Sequence, residues 1–534
     1  MKAELAEQEM TMRKIMRKSI AFGLVMLMVL LSACKSGSAG EGTSAQGRSM
    51  KVKSTGKSEL VLVTGAEPTH FFAQGQVGSA GADNLVLSNV YDCLLRVEAD
   101  GELTPALASG YTVSEDGCTY TFPLHKGVKF HNGKEMTAED VKFTLDLGVQ
   151  NYVGKALLIN YKDSKVVNDY LLEVHLSAPY AAFPNGIASR IGSVICKSYY
   201  EEVGEEGYFK HPVGTGPYRF EEYVPGHHIS FAANTDYWRG EPTLKKVTIS
   251  MVNDTDAQIK GLTAGQFDVL VNPSISDCLK LEGIKGVDWD TITSTGRITL
   301  YLNDWNGPCM NRDFRRAIQC VVNKEEIKDK IWYGDTVVLD IDMCPNYAAY
   351  PTVDDGIEVV DYDPERAKKL LKDSGYKGEE FTITVEDGSM LEDVAELICD
   401  QLSEIGIHCR VDDIASEEFY NVRIKRMYQA SIVDNICSLM DADGMLTAHN
   451  ADGPYFEERL FERDPEIIEL LEKGRAVQGE ERIPFYVKAC NIITEEAYEV
   501  PLVNNLSTIA FNNKLTGVEA HCLGLCYFVD WKWE

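Results

Sequence analysis

Gly127-Val128-Lys129-Phe130-His131-Asn132-Gly133, followed by Thr137-Ala138-Glu139-Asp140-Val141, is the stretch whose reading decides the fold. Asn132-Gly133 is a tight-turn pair, because both residues tolerate the left-handed backbone that such turns need. Thr137 stands as a helix N-cap, and Asp140 puts a carboxylate at the third helical position, close to a capping box. Just upstream, Thr119 to Leu124 alternates, with Tyr120, Phe122 and Leu124 on one face, as a half-buried strand does. Strand, turn and capped helix therefore follow one another within one short segment.

The same alternation recurs outward. Glu59 to Val63 reads as a first strand, and Leu87, Val90 and Leu94 have helical spacing. Asp363-Pro364-Glu365 opens a helix with Asp363 as N-cap, Pro364 at the first position, Glu365 four residues before Lys369, and Gly375 as its stop. Asn311 to Val322 and Asn323 to Ile331 read as two more helices. Strands rich in β-branched residues are expected at Val247 to Val252, Phe267 to Val271, Ile298 to Leu302, Phe381 to Val385 and Ala430 to Val433. Strands alternating with helices over this length predict α/β lobes with mixed sheets flanked by helices, and no internal repeat is visible.

The N-terminus has a different character. Arg13, Lys14, Arg17 and Lys18 precede an apolar run from Ile20 to Leu31, too short for a bilayer span of ~20 residues, and Leu31-Ser32-Ala33-Cys34 follows. This reads as a signal peptide over residues 1–33, cut before a lipid-carrying Cys34, with Met10 or Met12 as possible true starts. Residues 34–57 are dominated by Ser, Gly and Ala, a composition that cannot offset the entropy of ordering, and form a flexible tether. On square-root scaling it holds a folded body about 25 Å from the membrane. That body, from Ser58, is expected outside the cytoplasm, so ATP-consuming chemistry is not.

The 534-residue chain carries a formal charge of −30, which disfavours nucleic acid and anionic membrane surfaces as partners. Beyond Cys34, thirteen cysteines are scattered with no C-x-x-C pair. Several lie in apolar runs, such as Cys320 and Cys399, and most read as buried core thiols rather than a disulfide framework.

Few constellations carry catalytic chemistry. Gly214-Thr215-Gly216 lacks a third phosphate-loop glycine and runs into Pro217 and a strand at Tyr218-Arg219-Phe220. His227-His228, His408 with Cys409, and His521-Cys522 with Cys526 have no spacing that fixes a metal. Paired acids such as Asp412-Asp413 and Glu417-Glu418 read as solvated faces. No His-Glu-x-x-His and no Gly-x-Ser-x-Gly occurs in the body, so the expectation is a non-enzyme without cofactor or metal.

Asn89-Val90-Tyr91-Asp92, Leu103-Thr104-Pro105-Ala106-Leu107-Ala108, Val113-Ser114-Glu115-Asp116-Gly117 and Tyr120-Thr121-Phe122 resemble motifs of the family 5 solute-binding proteins of bacterial ABC importers. The opening stretch is similar to the most recognisable segment of that family. Gly214 to Tyr218, Asn234-Thr235-Asp236-Tyr237-Trp238, Asn303, Arg316-Ala317-Ile318 and Asn323-Lys324 continue the order, and most of these motifs are expected to build the fold. The resemblance implies a two-lobed clamp of the periplasmic-binding-protein type II class with an extra subdomain, closing on ligand about a hinge. Lobe I would hold residues 58–94, 213–297 and 501–534, the inserted subdomain 95–212, and lobe II 298–500. The implied task is capture of an extracellular solute, a peptide or peptide-like compound foremost, and delivery to an ABC permease with its ATPase subunits. The protein would act as a monomer anchored to the cell membrane by lipid at Cys34. Nickel complexes, cationic or sugar-type solutes on the same fold, or a lipid-anchored sensor module, are the alternatives.

Ligands of open α/β sheets sit beyond the carboxyl ends of strands. That rule nominates Glu67 after the first strand, Glu386 and Asp387 after Phe381 to Val385, and Asp434, Asn435, Ser438 and Asp441 after Ala430 to Val433. Peptide-binding relatives carry a Trp, and then an Asp for the peptide amino terminus, where an ungapped match gives this chain Asn435 and Ser438. Dipeptide-binding relatives carry an Arg for the ligand carboxylate where this chain has Glu386-Asp387. Two acids in place of a cation point to a ligand that is cationic, or polar and neutral, at that end. His449 with Asp441 or Asp443 is the metal-binding option, and a solvated loop the other reading of the same residues.

Overall fold

The computed structural model describes residues 57–68, 70–74, 80–437, 439–446 and 464–534, so Cys34, Ser438 and His449 lie outside the described residues. In chain order the strands are β1 (Glu59–Thr64), β2 (Leu95–Val97), β3 (Leu103–Pro105), β4 (Thr112–Val113), β5 (Thr119–Pro123), β6 (Tyr161–Asn168), β7 (Leu171–Leu176), β8 (Tyr218–Val224) and β9 (His228–Ala233). They continue as β10 (Lys246–Met251), β11 (Val269–Val271), β12 (Val287–Leu302), β13 (Phe381–Glu386), β14 (Cys409–Ile414), β15 (Ala430–Ile436), β16 (Glu499–Asn512), β17 (Leu515–Thr516) and β18 (Lys532–Trp533).

Ten of them make one mixed sheet in the order β14-β13-β15-β12-β16-β11-β1-β10-β9-β8. The near-continuous apolar run of β1 follows from its place between parallel neighbours β10 and β11, where both faces are buried. β13 lies likewise between parallel β14 and β15. One core packs Leu60, Leu62, Val247, Ile249 and Val269 with Phe231 and Phe528 on the β1 side. A second packs Ile298, Leu300, Ile383, Val385, Ile432 and Leu502 on the β13 side.

The two sides are joined by the antiparallel pair β12 and β16, of 16 and 14 residues. Only Ile298 to Leu302 of β12 is expected as strand from the sequence, because the short alternation of Val287 and Trp289 with Asp288 and Asp290 breaks off in the polar Thr293 to Gly296. The pairing slips twice, between Thr293 and Arg297 and between Ile298 and Thr299. At the first slip Ser294, Thr295 and Gly296 bulge, and Asn504 Nδ2 donates to the Ser294 carbonyl (3.0 Å) and the Gly296 carbonyl (2.6 Å). Tyr347 donates its hydroxyl to the Thr295 carbonyl at 2.9 Å, so the carbonyls of the irregular turn are paired. The second slip lets Pro501, which has no N–H, sit inside a central strand.

The segment 95–212 builds the four-stranded antiparallel sheet β4-β5-β7-β6. Tyr120 and Phe122 bury one face of β5, as their alternation predicts, and pack with Val141 and Leu172. The same core takes in Leu446, Leu471 and Tyr486. The helix Ala138–Gly148 starts at Thr137 as expected: the Asp140 carboxylate accepts from the Thr137 N–H (2.9 Å) and hydroxyl (3.2 Å), and from the Lys197 N–H (3.0 Å). Helices Arg312–Val321, Lys324–Ile331 and Pro364–Asp373 are capped by Asn311, Asn323 and Asp363. Cys399, expected as a buried thiol, instead forms a disulfide with Cys409, because helix Leu391–Ser403 and β14 bring their Cα atoms to 5.0 Å.

The sequence motifs converge into one structural knot. A Cβ on Gly214 would lie 2.0 Å from the Val90 carbonyl oxygen, and one on Gly216 2.6 Å from that of Asn89, so these glycines exist for backbone contact rather than for a phosphate. His131 Nε2 donates to the Gly216 carbonyl at 2.9 Å while Nδ1 accepts from the Gly214 N–H at 3.4 Å. The Asp92 carboxylate receives the Thr215 hydroxyl (2.9 Å), Tyr237 hydroxyl (3.0 Å) and Trp238 indole (3.1 Å).

Burial pushes His131 down to about 4, so it is neutral in the folded protein. The unfolded chain takes up that proton nearer pH 6.5, so stability is complete above about 6.5 and declines as pH falls towards 4, by up to ~1.4 kcal/mol per pH unit per histidine. His521, also near 4, adds in the same direction. Urea unfolding at several pH values across this window should give a shallower decline in His131→Gln than in the parent, and equal slopes would contradict the assignment.

Candidate functional site

A concavity lies beside the β12 bulge, with a volume of ≈ 470 Å³. Its floor is the bulge itself, Ser294 to Gly296, with Asn505 to Thr508 of β16. The loop Asn272 to Ser276 and residues Cys522 to Gly524 form one wall. The other comes from Lys330 to Tyr333, Met390, Asp393, Asp434 and Ile436. Tyr333, Met390 and Ile436 are 53 %, 40 % and 67 % exposed, large apolar side chains that leave contact surface unused at the mouth.

Strand alternation decides which predicted residues reach this cleft. On β15, Asp434 and Ile436 share a face and line the cleft, while Asn435 between them points the other way. Asn435 Nδ2 donates to the Tyr301 hydroxyl at 2.5 Å, and its carbonyl accepts from Arg297 Nη1 at 3.1 Å. Arg297 in turn pairs with Asp342 at 2.7 Å, and Tyr301 donates to Asp342 at 2.8 Å. A buried polar layer thus lies beneath the floor, and burial raises its Glu499 carboxyl well above the carboxylate range.

Asp441 is engaged in an ion pair. Arg482 clamps it with Nη1 to Oδ2 at 2.7 Å and Nη2 to Oδ1 at 2.5 Å, and also donates to the Tyr486 hydroxyl. Arg475 binds Asp443 at 2.7 Å. These two aspartates are buried rather than solvated, because arginines from the segment 475–482 neutralise them. Glu67 accepts the Tyr223 hydroxyl (2.6 Å) and the Gly226 N–H (2.7 Å), which hold its carboxyl below the usual range, and it does not line the cleft. Glu386 and Asp387 do not line it either: their backbone turns over Ser389 and β14, and the chain reaches the wall only at Met390 and Asp393. Sequence reasoning missed Tyr333, Met390, Asn505 and the Ser294 to Gly296 bulge. The available signal was the polar run Thr293 to Thr295 ending at Gly296, ahead of an apolar strand.

Asp434 carries the most displaced acid of the cleft. Burial raises its carboxyl to about 6, against the opposing pull of the Asn505 amide and of Arg297.

Compared with known proteins, residues 102–456 match the bacterial extracellular solute-binding proteins, family 5 Middle. That is about two thirds of the chain, and the chain belongs to this family, whose members are extracytoplasmic binding proteins working with ABC permeases. It is 28 % identical to the oligopeptide-binding protein AppA of Bacillus subtilis, over 74 % of this chain and 76 % of that one. It is 29 % identical to the nickel-binding periplasmic protein of Escherichia coli, over 54 % and 56 %. Among solved structures it is similar to the ABC transporter substrate binding protein CtaP from Listeria monocytogenes, with a TM-score of 0.81 and 24 % identity over 89 % of this chain and 99 % of that one. The fold is that of these periplasmic binding proteins.

The Asp441–Arg482 pair can be tested directly. Arg482→Met leaves a buried carboxylate uncompensated and should cost ~3–5 kcal/mol in urea unfolding, while Asp441→Leu combined with Arg482→Met should recover much of that loss. A single substitution that costs nothing would show that the pair is not structural.

Proposed function

We propose that this protein captures a peptide or peptide-like solute in the cleft beside the β12 bulge and hands it to an ABC permease by closing around it. The observation that carries this reading is the cavity of ≈ 470 Å³ at the place where only two strands join the halves of the sheet. Its size is in the range of small-molecule sites, ~300–1,000 Å³, and its apolar mouth suits side chains of varied chemistry. The name of the Bacillus subtilis relative supports a peptide, and that of the Escherichia coli relative keeps a metal complex as the second reading.

A ligand touching walls on both sides favours the closed state through its differential contacts, and closure is what a permease can recognise. In this reading residues 58–94, 213–297 and 501–534 move as one lobe, 298–500 as the other, and 95–212 is a subdomain carried along. The protein is not an enzyme, works as a monomer with the permease and its ATPase subunits, and is held to the membrane by lipid on Cys34 after removal of residues 1–33.

Thermal unfolding of the full chain against short peptides, nickel–histidine, amines and sugars tests the ligand class. A ligand at ~100 times its dissociation constant adds about 2.7 kcal/mol, a readily measured rise in melting temperature. Shifts with peptides are expected; shifts confined to nickel–histidine would replace the peptide reading, and none with any class would favour a sensor. Incorporation of labelled fatty acid, abolished by Cys34→Ser, is expected for the anchor.

A further inference from the structure

We propose that Cys522, Met440 and His521 form a site for a soft monovalent metal ion, copper(I) foremost, in the wall of the cleft. The site is independent of the solute assignment and uses side chains to which that assignment gives no role.

Sulfur and nitrogen meet here from distant parts of the chain. The Cys522 Sγ lies 3.8 Å from Met440 Sδ, 82 residues away in sequence, and 4.0 Å from His521 Nδ1. His521, Cys522 and Cys526 alone have no spacing that fixes a metal, and the further donor, Met440, comes from the segment after β15. Metal–sulfur bonds are ~2.3 Å long, so one ion can bond two sulfurs 3.8 Å apart at an angle of about 110°.

His521 has the arrangement of a metal-ligating imidazole. Its Nε2–H donates to the Val97 carbonyl at 3.1 Å, which fixes the tautomer and leaves the lone pair on Nδ1, the nitrogen beside Cys522. Nδ1 also accepts the Leu523 N–H at 3.1 Å, a bond the ion would replace.

The backbone holds these donors in place. Cys522 donates its N–H to the Ala99 carbonyl at 2.9 Å, and its own carbonyl accepts the Thr295 N–H at 3.0 Å, which ties it to the β12 bulge. Met440 has a φ of +48°, a left-handed conformation that is costly for a residue with a side chain. Its methyl group fits only because residue 101 is glycine: a Cβ there would lie 2.1 Å from Met440 Cε and 3.6 Å from Cys522 Sγ.

The chemistry selects the ion. Thiolate and thioether are soft donors that favour copper(I) over cations that prefer oxygen. On binding, a sulfur–metal bond replaces the Cys522 S–H bond, the proton passes to solvent, and no oxidation state changes. Cys522, Met440 and His521 are 1 %, 3 % and 4 % exposed, so residual charge is costly there. A monovalent ion on a thiolate is neutral, whereas a divalent ion would leave a buried positive charge. Zinc, besides, takes four donors in its structural sites. Cys522 lines the cleft, which gives a small ion its way in. In the lobe division proposed above, Met440 belongs to one lobe and Cys522 to the other, so a shared ion ties the two together.

The test uses the full chain in detergent, reduced and under nitrogen, titrated with copper(I) against a chromophoric copper(I) chelator. The parent should hold one equivalent that Cys522→Ser loses. Met440→Leu keeps the packing and removes the thioether. It should weaken that equivalent by about tenfold or more, since changes outside the ligand shell already cost ~10–100-fold. X-ray absorption should show two sulfurs and one nitrogen around the copper, and excess zinc should not displace it. Equal affinity in the parent and Met440→Leu, or an equivalent retained in Cys522→Ser, overturns the inference and marks binding at other thiols. If Cys522→Ser does not fold, the same titration of the parent and Met440→Leu decides. Peptide titrations are run separately: a copper site in a chain that binds no peptide upholds this inference while the solute reading falls, and peptide binding without the copper site overturns this inference alone.

Discussion

Everything in this molecule hangs on the antiparallel pairing of β12 with β16. Among the described residues it links the parallel group around β1 to the one around β13 in a single sheet. Two long strands resist stretching and shear but bend where their register fails, and here it fails at Thr293 to Arg297. The bulge is held together by Asn504 and Tyr347 rather than left ragged, so it has a defined shape on which a cleft floor can be built. Placing an irregular, polar turn in the middle of a sheet is tolerable only beside a cavity, since a packed apolar neighbour would strand its backbone groups.

Two polar assemblies flank this crossing. Beneath the floor, Arg297, Asp342, Tyr301 and Asn435 consume one another's hydrogen-bonding capacity, and beyond β15 the Arg482–Asp441 and Arg475–Asp443 pairs do the same. Such networks set the shape of the walls. Asp434 differs in lining the cleft, with its Oδ2 held by Asn505. Proximity in sequence does not reveal such differences: Asp434 lines the cleft, Asn435 faces the polar layer beneath it, and Asp441 is clamped by Arg482.

The architecture was largely legible from residue patterns, and the detail of the site was not. Alternation found β5, β-branched richness found β13, and caps at Thr137 and Asp363 found their helices, because these signals are local and each residue's role is fixed by its immediate neighbours. The contact of the Gly214 to Gly216 motif with Asn89 and Val90 explains why it wants glycine. The polar half of β12 escaped notice because cleft-facing strands lose the apolar pattern that identifies them. The rule that ligands sit beyond strand ends nominated Asp434, Asn435 and Asp441 alike; it could not tell the two faces of β15 apart, nor see that Arg482 comes from a distant segment to neutralise Asp441.

Amide hydrogen exchange, read by mass spectrometry on the full chain with and without a saturating mixture of short peptides, tests the central claim most directly. The account predicts slowed exchange in the segments around Ser294 to Gly296, Val433 to Ile436 and Asn504 to Ser507, with little change around Glu67 or Glu386-Asp387. Protection concentrated at Glu67 or Glu386-Asp387, with the β12 bulge unaffected, would contradict it.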